Sequence, residues 1–134
     1  MKTLTYVFLT ICFCSTLHAQ KSGTIYFMRL TGISGTVSAF NAFIDGELVC
    51  RLNNKKFSVH EVPAGEHTIT VQFSGKNAKE KAEPITVTVE PGQPVFVQMV
   101  LEVRAIINNL YCQEITESSA RPVLRKLKED TKCR

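Results

Sequence analysis

The sequence predicts an all-β fold, an antiparallel β-sandwich of about seven or eight strands with one C-terminal amphipathic helix. Two turns support this prediction. Asp45-Gly46 lies between two apolar runs, and an Asp-Gly pair favours a β-hairpin because both central turn positions need φ > 0. The corner Pro63-Ala64-Gly65 is followed by Ile69, Val71 and Phe73 in alternation with polar residues, which indicates a strand with one buried face.

The remaining strands follow from β-forming or alternating runs that lie between turn residues. The predicted strands are residues 24–30, 36–44, 47–52, 56–62, 66–73, 85–90, 95–103 and 110–115. Residues 74–84 are charged, lack apolar periodicity and are bounded by Gly and Pro, so we expect a surface loop there. All of these segments belong to one predicted domain, residues 20–134.

After Thr116 the spacing of apolar residues changes from that of a strand to that of a helix. Ala120, Val123, Leu124 and Leu127 recur at helical intervals, and a Thr or Ser precedes them, which supplies an N-cap. The pattern predicts one amphipathic helix over residues 117–129. We expect it to lie on an edge or an open face of the sheet.

The first nineteen residues have the pattern of a secretory signal peptide. Lys2 is followed by an apolar run from Leu4 to Leu17, and Ala19 precedes the next charged residue, Lys21. This predicts export to the periplasm or the outer surface, with cleavage after Ala19. The alternatives are a membrane anchor, for which the run is shorter than the ~20 residues a bilayer requires, and a lipoprotein signal that uses a cysteine of the apolar run.

The charge of the chain is mildly positive and concentrated near the C-terminus. Sixteen basic and twelve acidic side chains give a formal net charge of +4. On the predicted helix Arg121, Arg125 and Lys128 share one face, which is either a surface for anionic membrane lipids or polysaccharide or a solvated helix face. Nucleic acid is not an expected partner, because the chain is exported and no aromatic residues alternate with the basic ones.

Three cysteines follow the predicted cleavage site: Cys50, Cys112 and Cys133. Export allows a disulfide, and the odd number leaves one thiol free. A helix that folds back along the last strand would bring Cys133 near Cys112, so we predict that pair. Cys50 lies in an apolar strand and is expected to be a buried free thiol. The competing pairing is Cys50 with Cys112.

Two histidines flank the corner at Pro63 and each has a glutamate beside it. His60 precedes Glu61, and His67 follows Glu66. These four residues are candidates for a metal site, since imidazole and carboxylate are metal ligands. The other interpretation is structural: His67 shares the parity of the apolar residues that follow it, which predicts a ring at the mouth of the core with one nitrogen bonded to a backbone carbonyl. No cofactor is expected.

Several of these segments resemble the family catalogued as domain of unknown function 2846, whose members are similar in plan to carboxypeptidase-regulatory-like and PEGA-type β-sandwich modules. The residues that carry the resemblance are Thr24–Arg29, Gly35, Ile44–Val49 and the corner and strand start Pro63–Ile69. The resemblance covers residues 24–101. It implies an exported sandwich and supplies no activity, because the family itself has none assigned.

The function that the sequence favours is an exported, non-enzymatic binding or scaffolding module of the cell envelope, with an envelope protein or a glycan as its partner. Neither a Gly-x-Ser-x-Gly elbow nor a phosphate-binding Gly loop is present, and Asp45 is expected to be used by its turn. The alternative is a small metal-dependent or hydrolytic enzyme that uses His60, His67 and a neighbouring Glu.

Overall fold

Two β-sheets pack against each other in the computed structural model, which describes residues 20–32, 38–75 and 80–133. The predicted signal peptide, residues 1–19, and the start of the second predicted strand lie outside these ranges. The elements, in chain order, are β1 (Ser22–Arg29), β2 (Phe40–Ile44), β3 (Glu47–Leu52), β4 (Lys56–Pro63), β5 (Gly65–Phe73), β6 (Ile85–Val89), β7 (Pro94–Val103), β8 (Asn108–Ile115), α1 (Glu117–Leu124) and β9 (Lys128–Glu129).

The predicted all-β sandwich is confirmed. The first sheet has the strand order β8-β7-β1-β4-β9, and the second has the order β3-β2-β5-β6. All neighbouring strands are antiparallel except β1 with β7 and β4 with β9, so the first sheet is mixed. The core lies between the sheets, where Ile25 and Phe27 of β1 face Ile69 and Val71 of β5 with no exposed surface.

A second, smaller apolar cluster lies on the outer face of the first sheet, under α1. Ala120 of the helix packs there with Met28 and Phe96, and all three are buried. The prediction that the helix lies on a sheet face is therefore confirmed. Thr116 is the N-cap, and its hydroxyl accepts a hydrogen bond from the Ser119 amide at 3.3 Å.

The helix ends at Leu124, before the predicted limit at residue 129. Beyond it the Lys128 amide donates to the Lys55 carbonyl, and the Asp130 amide donates to the Phe57 carbonyl. These bonds make β9 a short parallel partner of β4. The backbone of this segment is used in a sheet edge, which apolar periodicity does not reveal.

The disulfide prediction was wrong. Cys50 bonds to Cys133, with a Cα separation of 4.9 Å, and Cys112 is the buried free thiol. The reason is the strand order: Cys112 lies in β8 and Cys133 follows β9, at opposite edges of a five-stranded sheet. Four strand spacings of ~4.8 Å separate those edges by roughly 19 Å. The bridge joins the β9 edge of the first sheet to β3 of the second.

Both predicted turns have the expected backbone conformation. Asp45 and Gly46 have φ values of 51° and 80°, as in a type I′ hairpin turn, and Gly65 has a φ of 130°. Gly23 has a different role, which was not predicted. A Cβ there would lie 2.6 Å from the Glu90 carbonyl oxygen and 2.9 Å from that of Gln93, so only glycine lets the turn before β7 approach β1.

We predict that Gly46→Val lowers the free energy of unfolding by about 1 to 3 kcal/mol. The space around this position is open, since an added Cβ meets no heavy atom within 4 Å, so the cost comes from holding a β-branched residue at positive φ. Thermal unfolding measures it. Stability equal to that of the unsubstituted protein would contradict the turn type.

We also predict that non-reducing peptide mapping gives one cross-link, between Cys50 and Cys133, and one free thiol at Cys112. The bridge spans 83 residues, and in the chain-entropy model such a loop stabilises the fold by about 4 to 5 kcal/mol. Cys50→Ser should lower the free energy of unfolding in denaturant by that order. As the control, reductant should destabilise the unsubstituted protein but not the variant; a cross-link that contains Cys112 would contradict the pairing.

Candidate binding cleft

A cleft of about 810 Å³ opens on the side of the sandwich, where the edge of β3 in one sheet faces β4 of the other. Its β3 wall consists of Glu47, Leu48 and Val49, and its β4 wall runs from Val59 to Pro63. Glu129 of β9 lies at one end. Beyond Val49 the next residue, Cys50, is bonded to Cys133, so the disulfide holds the two walls together at that end.

The β4 wall has a free backbone edge. β9 pairs only with Lys56 and Phe57, and no other described strand pairs with this side of β4. The Ala64 amide donates to the carbonyl of Lys21, the residue before β1, so this amide points towards β1. The Phe57 carbonyl accepts from the Asp130 amide, so this carbonyl points away from β1. Because backbone groups alternate sides along an antiparallel strand, Val59 and Glu61 direct their N–H and C=O groups away from β1, towards the cleft.

His67 closes the other end of the cleft by joining the two turns. Its Nδ1 is 2.7 Å from Asp45 Oδ2, and its Nε2 is 2.6 Å from the Pro63 carbonyl oxygen. A carboxylate and a carbonyl can only accept, so the ring makes both hydrogen bonds only when both of its nitrogens are protonated, as an imidazolium. The predicted bond to a backbone carbonyl is confirmed. We call these three residues the Asp45–His67–Pro63 clip.

The charges of the clip stabilise each other. Burial lowers the pKa of His67, but the hydrogen bonds to the Pro63 carbonyl and to Asp45, with the charge of that carboxylate, outweigh it and raise the pKa above its ordinary value. The Thr68 amide donates to Asp45 Oδ1 at 2.9 Å, and this bond, with the one from His67, lowers the pKa of Asp45. The Asp45 side chain is half exposed, so solvent screens much of this interaction.

His60 differs from His67 although both line the cleft. It is 7% exposed, packs edge-on against Phe27, and has its Nε2 2.9 Å from Ser58 Oγ. Burial lowers the pKa of His60, so its ring is neutral at pH 7. Its other ring nitrogen, Nδ1, forms no hydrogen bond with a described residue. His60 therefore contributes a neutral, buried ring to the cleft wall.

The described residues do not bring the four candidate His and Glu side chains together as a metal site. Neighbouring residues of a strand point to opposite faces, so Glu61 and Glu66 point away from the adjacent histidines, and Glu66 does not line the cleft. The described ranges contain no group of three or more His, Cys, Asp or Glu side chains that could hold a metal ion. His67 also has no lone pair to give a metal while both of its nitrogens donate.

Three acidic side chains lie at the cleft, and of these only Glu61 was a candidate from the sequence, as a metal ligand. Glu47, Glu61 and Glu129 line it, all are exposed, and none forms an ion pair with a described residue. Glu61 Oε1 accepts a hydrogen bond from the Ser22 hydroxyl at 2.8 Å. They come from three separate strands, so no local sequence pattern joins them.

The basic residues assigned to one helix face do not share it. Arg121 bonds to Glu117 at 2.6 Å within the helix, Arg125 is the C-cap, and Lys128 lies in β9. All three are exposed, and contact with an anionic membrane surface stays a prediction. Within the described ranges, no helix is both long enough and apolar enough to span a membrane.

Comparison with known proteins returned no match, neither to a family model nor to a curated protein. The resemblance to the family catalogued as domain of unknown function 2846 therefore stays a prediction from the residues that carry it. The geometry of the cleft is the basis for any functional conclusion.

We predict that the two cleft histidines titrate on opposite sides of the ordinary value of about 6.5. The raised pKa of His67 means that its stabilisation is present below 6.5 and is lost as pH rises through the folded-state pKa. The lowered pKa of His60 means that its stabilisation is present above 6.5 and is lost as pH falls. NMR titration of the two imidazoles measures both values.

Asp45→Asn is the matched test of the clip. Asparagine keeps one oxygen that can accept from the Thr68 amide, but an uncharged NH2 group replaces the oxygen that accepts from His67. The pKa of His67 should therefore fall while that of His60 stays unchanged. An unchanged His67 titration in this variant would show that the carboxylate does not hold the ring charged.

Proposed function

We propose that this protein is an exported, non-enzymatic binding module of the cell envelope, and that the cleft receives an extended segment of a partner protein as an added strand beside β4. The observation that carries the proposal is the free edge of β4 at Val59 and Glu61. Unpaired N–H and C=O groups on a strand edge are a template for pairing with another chain. This favours a polypeptide over a glycan.

Two features support export. The pattern of residues 1–19 is that of a signal peptide, and the Cys50–Cys133 disulfide is of a kind that persists in oxidising compartments. The same disulfide suits a binding role, because it fixes the spacing of the two cleft walls before any ligand arrives. A site that is formed in advance loses less entropy on binding.

The apolar surface of the cleft also suits a strand as ligand. Leu48 is 46% exposed on the β3 wall, and the inward-facing Val62 of β4 lines the same cleft. A side chain of an added strand that points between the sheets would cover Val62. Exposed edges are usually protected by charge, bulges or short length; here β3 has a bulge at Val49, whereas β4 has no bulge in its pairing with β1.

The proposal is tested by amide hydrogen exchange of the full oxidised protein with a neutral probe, the peptide acetyl-Thr-Val-Thr-Val-Thr-Val-amide. We expect slower exchange at the Val59 and Glu61 amides, because they gain hydrogen bonds. The amides of β8, the opposite edge of the same sheet, serve as the control and should not change. No protection at Val59 and Glu61, or equal protection along β8, would contradict the proposal.

Val59→Pro gives a second measurement. It removes an N–H that faces the cleft and is not used in the β1–β4 ladder, and proline is tolerated at such edge positions. The variant should keep a cooperative unfolding transition and lose the peptide-dependent protection at Glu61. Retained protection would show that the peptide binds elsewhere.

A further inference from the structure

The direction of the side chains along β4 determines what an added strand would meet. Val59 and Glu61 point to the outer face of the first sheet, as do their β1 partners Tyr26 and Thr24. His60 and Val62 point between the sheets. Directly opposite residues of neighbouring strands have their Cβ atoms about 4.5 to 5.5 Å apart and point the same way. An added strand would therefore alternate between these two environments.

The outer row of this strand would be acidic. A residue opposite Glu61 faces that carboxylate directly. Glu129 of β9 pairs with Phe57, so it lies on the same edge of β4 as the added strand and in line with it. The ligand residue opposite Val59 would be two positions, about 7 Å, from Glu129 along this edge. That residue is also a diagonal neighbour of Glu61. Both outer positions of the ligand would thus be next to carboxylates that have no ion-pair partner among the described residues.

The inner row would be mostly apolar. A residue opposite Val62 enters the mouth of the sandwich beside Ile44, which lines the cleft with it. A residue opposite His60 meets that buried ring, which lines the cleft. When His67 is protonated, its charge offsets that of Asp45 and the clip adds no net charge here. The chain as a whole carries a net charge of +4, so the acidic cleft differs in sign from the rest of the protein.

We infer that the cleft selects a cationic segment of a partner protein, an extended stretch with Lys or Arg at alternate positions and apolar residues between them. This inference rests on the proposed function, strand addition to β4, and specifies its ligand. The cations pair across the strand with Glu61 and lie beside Glu129, while the apolar residues fill the mouth between the sheets.

Three alternating hexapeptides test this selection on the full oxidised protein, with Lys, Thr or Glu at the polar positions and Val between them. We expect the Lys peptide to bind about tenfold more tightly than the Glu peptide, with the Thr peptide between them, because cross-strand charge pairs contribute up to ~1 kcal/mol each. Added salt should reduce this difference, since the carboxylates are exposed. A peptide of three Lys followed by three Val keeps the charge without the alternation and should bind more weakly than the alternating Lys peptide.

Glu61→Gln combined with Glu129→Gln should abolish the preference for Lys and leave binding of the Thr peptide unchanged. Glu114→Gln, an exposed strand glutamate outside the cleft, is the matched control and should keep the preference. All three substitutions are at exposed positions, so folding is expected to be preserved, and thermal unfolding checks it.

The outcomes separate the two proposals. Equal affinity for the three alternating peptides, all protecting Val59 and Glu61, would overturn the cationic selection and leave strand addition intact. Equal binding of the clustered and alternating Lys peptides would also overturn the selection as stated. No protection by any peptide would overturn the proposed function itself. A dimer that the Lys peptide dissociates would assign the cleft to a second copy of this chain and overturn the assignment to a separate partner.

Discussion

The Asp45–His67–Pro63 clip is the interaction on which the arrangement of the two sheets depends. Asp45 lies in the turn between β2 and β3, within the second sheet, whereas Pro63 ends β4, in the first. His67 bonds to both, at 2.7 Å and 2.6 Å. Since the chain crosses between sheets at Ala64, the clip ties the turn between β2 and β3 to this crossing with charge-assisted hydrogen bonds, which are stronger than neutral ones. The opening of the cleft at this end follows from that geometry.

The disulfide has the corresponding role at the other end of the cleft. After β9 the chain turns away from β4 so that Cys133 can reach Cys50 in β3. A longer β9 would cover the rest of β4 and fill the cleft. The bridge therefore has two effects: it ties the edges of the two sheets together, and it limits β9 to two residues. The free edge at Val59 and Glu61 is a consequence of where the cysteines lie.

Most of the fold could be predicted from the sequence because it depends on local patterns. Period-2 alternation locates strands, and the φ > 0 requirement locates the Asp45-Gly46 turn; β3 has the predicted bounds, Glu47–Leu52. The failures concern contacts between distant segments. β9 has two residues and no sequence pattern of its own. Because β9 was not predicted, the predicted helix was too long and the predicted disulfide partner of Cys133 was wrong.

The candidate site was predictable only in part, for the same reason. The structural role of His67 follows from its parity in a strand, but its bond to Asp45 requires knowing that β2 pairs with β5, with Ile44 opposite Ile69. Arg29 gives a similar case: it has no exposed surface, lies 3.4 Å above the Phe40 ring and donates to the Leu52 carbonyl, and burial lowers its pKa to about 10. Nothing in the strand pattern marks that arginine as buried.

The length of the segment that the cleft can take is set at both ends. β9 occupies the edge of β4 as far as Phe57, and His67 already bonds to the carbonyl of Pro63. Between them only Val59 and Glu61 have backbone groups left to pair. Two residues that each pair fully with an added strand support few hydrogen bonds, each with a net value of about 1 kcal/mol. Backbone pairing alone is therefore too weak to distinguish one segment from another. The choice of ligand must depend on the side chains of the cleft, which are the carboxylates on the outer face and the apolar residues at the mouth between the sheets.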